Sequence, residues 1–175
     1  MKKLIVSLAA CAALLMAAPA LADSEIGIVN ITKIMKDSKA AVSLRSQVDN
    51  KRKALQTEYQ EKSKSLHAED KALVGQQKTA DKAAFDKKVA DFRARADKEA
   101  AAIEAKRKAL DTSFTNALEE IQKNVADIVK QISAEKKLNV VFSAAQVIYN
   151  EPSLDITDEV LKRLDSKLPS VTSKF

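Results

Sequence analysis

The chain has 175 residues, of which 31% are charged and only 4% aromatic, with two glycines, no tryptophan and a formal net charge of +6. Such a composition excludes a large globular core and any glycine-rich loop that could cradle a phosphate, and it favours long helices. The single cysteine, Cys11, and the single histidine, His67, exclude a disulfide framework and a zinc site built from imidazoles.

Lys2 and Lys3 precede the apolar run Leu4 to Met16, and Ala20-Leu21-Ala22 places small residues where a signal peptidase reads them. Residues 1–22 are therefore expected to be a signal peptide cleaved after Ala22. The run is too short to span a membrane as a helix. A competing reading takes Leu8-Ala9-Ala10-Cys11 as a lipobox, but that leaves an apolar core of only Leu4 to Leu8, shorter than signal peptides use. Removal of the signal leaves no cysteine, so stability must come from packing and association.

Glu25 to Ile31 is a short β-branched run, read as a first strand. It leads through Thr32 to Ser38, with Asp37 or Ser38 able to cap a helix. From Ala41 to Leu110 the chain can be folded on itself so that paired residue numbers sum to 151. Val48 then meets Ile103, Leu55 meets Ala96, Tyr59 meets Phe92 and Leu66 meets Phe85, while Arg52 faces Glu99 and Glu69 faces Lys82. Seam positions 48, 52, 55, 59, 62, 66, 69 and 73 alternate steps of four and three, as do 85, 89, 92, 96, 99, 103 and 106. This pattern predicts an antiparallel helical hairpin over 38–117, with its turn near 74–80 and Gly75 in or beside it. A first arm reaching Val74 is about 55 Å long, which makes it a projection.

Helical spacing continues past the mirror through Phe114, Leu118, Ile121, Val125, Ile128 and Ile132, with a stutter at Leu110, Phe114 and Leu118. This denser stripe needs a surface to bury it, either its own chain or another copy. Leu138 to Phe142 and Gln146 to Tyr149 read as two more strands, and three short strands make a thin sheet that association would stabilise. Thr157-Asp158-Glu159 opens a last helix with a capping hydroxyl and acids in its first turn, Pro169 ends it, and Ser170 to Phe175 is a frayed tail.

The run Ile26-Gly27-Ile28-Val29-Asn30 at the start, followed by Asn139-Val140-Val141-Phe142, Gln146-Val147-Ile148-Tyr149 and Asp155 to Leu164 in that order, resembles the Skp/OmpH family of periplasmic chaperones. The likeness runs from Ile26 to about Leu168. It departs at Ser143, where family members often carry an acid. The fold that follows is α+β and mostly α: a long antiparallel coiled-coil hairpin projects from a small β body formed by trimerisation. Residues 23–37 and 118–175 would make that body, with Leu118, Ile121, Val125, Ile128 and Ile132 at the trimer core. The resemblance implies an ATP-independent holdase that keeps unfolded outer-membrane proteins from aggregating.

Such a holdase needs many weak contacts. Tyr59, Leu66, Phe85 and Phe92 supply apolar ones, and Lys82, Lys87, Lys88, Arg93 and Arg95 electrostatic ones. Between Arg45 and Leu110 there are 17 basic against 11 acidic residues, so the hairpin carries the positive excess. That excess points to acidic polypeptides, anionic lipid or lipopolysaccharide as partners of an exported protein, and not to nucleic acid. No nucleophile, metal or cofactor motif is present, so no enzyme is expected. An envelope adaptor whose hairpin docks on another helical tube is the competing function. Adaptors of that kind flank the hairpin with glycine-rich β domains, and this chain has only Gly27 and Gly75.

Overall fold

The computed structural model describes residues 25–77 and 81–171. The expected signal peptide, Cys11, turn residues 78–80 and the last four residues of the tail lie outside the described residues. In chain order the elements are β1 (Ile26–Val29), α1 (Ile31–Asp37), α2 (Lys39–Gln76), α3 (Lys82–Lys136), β2 (Val140–Ser143) and α4 (Thr157–Lys167). Short 3-10 turns occupy Ala144–Gln146 and Pro152–Leu154.

The hairpin forms as its heptads require, from α2 and α3. Ser38 caps α2 by accepting a hydrogen bond from Ala41 N–H, and Asp81 caps α3 by accepting one from Ala84 N–H. The chain between Asn30 and Ser38, read above only as a connection, is helix α1. Asn30 caps it, its side-chain oxygen accepting from Lys33 N–H at 2.9 Å. Gly75 sits inside the last turn of α2 with a negative φ, so the reversal falls after Gln76 and the Asp81 cap marks the return.

That displacement changes the register. Cross-arm contacts join Glu58 to Lys106, Lys62 to Glu99, Glu69 to Arg95 and Gln76 to Lys88, and Arg107 stacks on Tyr59. Their residue numbers sum to values from 161 to 166 in place of 151, a shift that brackets two heptads. The expected facing of Arg52 with Glu99 and of Glu69 with Lys82 is therefore corrected. The reason is the repeat itself: a seam that recurs every seven residues is unchanged by a slip of whole heptads, so it selects a face without selecting a partner. On α3 the seam face is as read up to Ile103, with Lys106 exposed, whereas on α2 Arg52, Tyr59 and Lys62 are exposed and Lys51 and Glu58 are half-covered in their place. From Asp81 to Ala102 the positions that are not exposed are 85, 89, 92, 96 and 99, and Ile103 is buried.

The core lies at the root. Ile34, Leu44, Ile121, Ile128, Ile132, Val160 and Leu164 are each at most 1% exposed and form one cluster with Val48, Leu55 and Leu110. Each such side chain contributes roughly 1.5–3 kcal/mol by leaving water. Ile121, Val125, Ile128 and Ile132 are thus buried within one chain, among residues of α1, α2 and α4. Their burial needs no second copy. Leu118 is only partly covered. The stutter also falls later than expected: Ser113 and Ala117 are buried in place of Phe114 and Leu118, and the steps of four run from Ser113 to Val125.

β1 and β2 pair in parallel, with Gly27 opposite Val141 and Ile28 opposite Phe142. Parallel neighbours need a crossover, and here the whole hairpin is that crossover. The other edge of β1 is bridged by Asp155, where Ile156 N–H donates to the Ile28 carbonyl at 2.9 Å. The expected third strand at Gln146–Tyr149 is not formed. Ala144–Gln146 is a 3-10 turn, the segment pairs with no described strand, and Ile148 stands fully exposed.

α4 begins where expected, with a different cap. Thr157 Oγ1 accepts from Asn30 N–H at 2.8 Å, and Asp155 Oδ1 takes the Thr157 N–H at 2.8 Å. The hydroxyl therefore ties α4 to the start of α1. The frayed tail is corrected at Val171, which is 1% exposed.

Candidate functional surface

Two surfaces stand out from the rest of the molecule, the arms and the exposed side of the root. Along the arms, α2 and α3 hold each other by a thin seam. Val48 and Leu55 on α2 and Ile103 and Leu110 on α3 are buried, whereas seam positions toward the turn are only half-covered. Of the candidate client contacts, Leu66, Phe85 and Phe92 are half-buried on the seam. Tyr59 is the more accessible, 46% exposed beneath Arg107. Lys82, Lys87, Lys88, Arg93 and Arg95 are all exposed.

Two of these cations already hold the arms together. Arg95 pairs with Glu69, whose hydrogen bond and charge raise the guanidinium pKa further, and Lys88 Nζ donates to Gln76 Oε1 at 3.0 Å. Lys106 holds Glu58 below the usual carboxylate range, first by a hydrogen bond to it. Near the turn Leu73, Gln76, Lys88, Asp91 and Arg95 line a shallow groove between the arms. The arms thus present an amphiphilic surface whose charges are partly spent on the arms themselves.

At the root, Val140 and Phe142 on β2 and Ile148 and Tyr149 after it are 39%, 43%, 107% and 75% exposed. The hydroxyl of Tyr149 donates to Glu151 at 2.6 Å, a bond that raises its pKa. Val42 and Val74 are exposed as well. Val140, Phe142, Ile148 and Tyr149 are not among the contact candidates above, because an apolar residue inside an expected strand reads as covered. Ser143, at the position where an acid was expected, accepts from Ala145 N–H at 3.4 Å and so supports the turn after β2.

At the root, α3 and α4 are joined by an ion-pair cluster. Arg163 donates to Glu135 at 2.7 and 2.5 Å and to Glu159 at 2.5 Å, and Lys136 approaches Glu159 at 2.9 Å. Among the described residues no group of His, Cys, Asp and Glu could hold a metal ion, and no helix is long and apolar enough to cross a membrane.

A long two-helix hairpin whose return leg runs on into a root of short parallel strands defines a recognisable class of fold. The model of the outer membrane protein (OmpH-like) family matches residues 25–164, and the chain belongs to that family. A crystal structure from Caulobacter crescentus, of a protein proposed to be an outer membrane chaperone (OmpH-like), has the same fold with a TM-score of 0.76. The two are 20% identical, and the match covers 85% of this chain and 88% of that one. No curated protein matches the chain significantly.

Proposed function

We propose that this protein is an ATP-independent periplasmic holdase that binds unfolded outer-membrane proteins and keeps them from aggregating in transit. The observation that carries this reading is the arm itself. α2 has 38 residues, about 57 Å at ~1.5 Å per residue. Over most of that length it buries little, and offers half-covered apolar side chains between exposed cations. An unfolded β-barrel exposes alternating apolar residues and unpaired strand edges, and a surface of many weak contacts holds such a chain without requiring one sequence. Membership of the OmpH-like family and the described role of the Caulobacter protein support the same reading.

The working form in this proposal is a homotrimer. Support comes from the apolar surface at Val140, Phe142, Ile148 and Tyr149, beside a β2 edge that no described strand covers. Three copies would put their hairpins around one cavity, and arms with so sparse a seam would splay when it fills. An unfolded outer-membrane protein diluted from denaturant, with and without stoichiometric chaperone and without nucleotide, tests the role by light scattering. Suppression at a fixed molar ratio is expected, and unchanged aggregation would sink the proposal.

A further inference from the structure

The two legs of the hairpin are rooted differently. α3 runs unbroken from Lys82 to Lys136 into the core. α2 instead starts at a one-residue break, Ser38, whose backbone is extended (φ −62°, ψ 144°) between α1 and α2. Ser38 is wholly buried. Polar ties to the first turns of α2 come from elements outside the hairpin. Arg45 donates to the carbonyl oxygens of Met35 and Lys36 at the end of α1. Lys39 N–H donates to Asp165 Oδ1 of α4 at 2.8 Å. Gln47 Nε2 donates to the carbonyl of Val171 at 2.8 Å. Val171 itself belongs to no regular element, yet it is 1% exposed and part of the core cluster. Val171 is thus held to α2 both by burial and by a hydrogen bond.

We propose that the segment from Leu168 to Val171 is a strap that holds α2 against α3, and that α2, hinged at Ser38, is the leg that lifts when the strap lets go. Val171 is the apolar plug and Gln47 the polar latch. Val48 lies beside that latch on the same helix, with Leu55 two turns on, and both are buried seam residues. Lifting α2 uncovers them and adds a strip of apolar surface that an unfolded client can occupy. Only that last step rests on the holdase reading, since the strap acts with no client present.

Amide hydrogen exchange on the full chain tests the device. Gln47→Glu keeps the side chain's size but removes the donor and sets a carboxylate against a carbonyl. Val171→Ser removes the plug, and Val171→Leu keeps it. Exchange over 39–55 is expected to rise about tenfold in the first two variants and to stay as in the wild type in the third, with 121–132 unchanged throughout. If exchange rises as much over 121–132, the segment is ordinary core packing and the strap is refuted. Unchanged exchange over 39–55 in both releasing variants refutes it equally. If Val171→Ser fails to fold, Gln47→Glu decides alone.

Discussion

The guanidinium of Arg107 lies over the ring of Tyr59, 5.6 Å from its centroid, and the two residues come from opposite arms of the hairpin. This contact belongs with Glu58–Lys106 and Glu69–Arg95. Together they state a register that apolar spacing leaves open.

Charge exchange checks that register. Arg95→Glu places two acids together and is expected to lower the thermal midpoint of the hairpin. Adding Glu69→Arg should recover most of the loss. The pair is exposed, so both the loss and its recovery are small. Lys82→Glu in place of Arg95→Glu should show no such recovery. A double-mutant cycle in low salt measures both, and coupling of Glu69 to Lys82 would restore the register summing to 151.

Gly75 supplies a second test. It is helical, and a Cβ there would meet nothing within 4 Å. Gly75→Ala is therefore expected to stabilise the arm by about 0.5–1 kcal/mol, read by urea unfolding followed by circular dichroism. Were Gly75 a left-handed turn residue, the same substitution would destabilise.

Gly27 predicts the opposite sign. A Cβ on it would lie 2.8 Å from Leu138 Cδ1 and 3.3 Å from Val141 Cγ2, against the strand with which it pairs. Gly27→Ala should cost about 1 kcal/mol, and Gly27→Val more, because the neighbouring side chains must leave their packing. Urea midpoints of the three proteins check the order.

The junction of α3 with α4 should respond to acid. The hydrogen bond from Arg163 holds Glu135 below the ordinary carboxylate value of 4.5, and Glu159 is held down first by Lys136 and then by Arg163. A carboxylate depressed in the folded state stabilises above its unfolded value and loses that contribution as pH falls through its folded value. Arg163→Gln is thus expected to lower the thermal midpoint at neutral pH and to lower it less as pH drops from about 4.5. A difference that is constant across that range would show that the cluster does not titrate as described.

Ile148 has no cover from its own chain. If the proposed homotrimer closes over this surface, Ile148→Asp should leave the circular-dichroism spectrum unchanged and shift sedimentation toward the single chain. If the distribution does not move, this surface is not where copies meet.

The seam face of α3, a helix start at Asp37 or Ser38, the run of α3 into the root and the β1 and β2 segments could all be read from residue order. They rest on local chemistry: a heptad period, a capping hydroxyl and β-branched runs act over a few residues and need no knowledge of what lies opposite. The rest depended on partners distant in the chain. The true register of Glu69 depends on where Asp81 starts the return helix, and a seven-residue repeat cannot report that. Gln146 to Tyr149 has strand composition, yet it pairs with no described strand, because composition alone does not choose a partner. Thr157 looks like a cap, but its hydroxyl oxygen accepts instead from the N–H of Asn30, 127 residues away. Val171 reads as frayed tail until the fold brings Gln47 to its carbonyl. Each of these is a choice between competing partners, and only the folded chain sets which partner arrives.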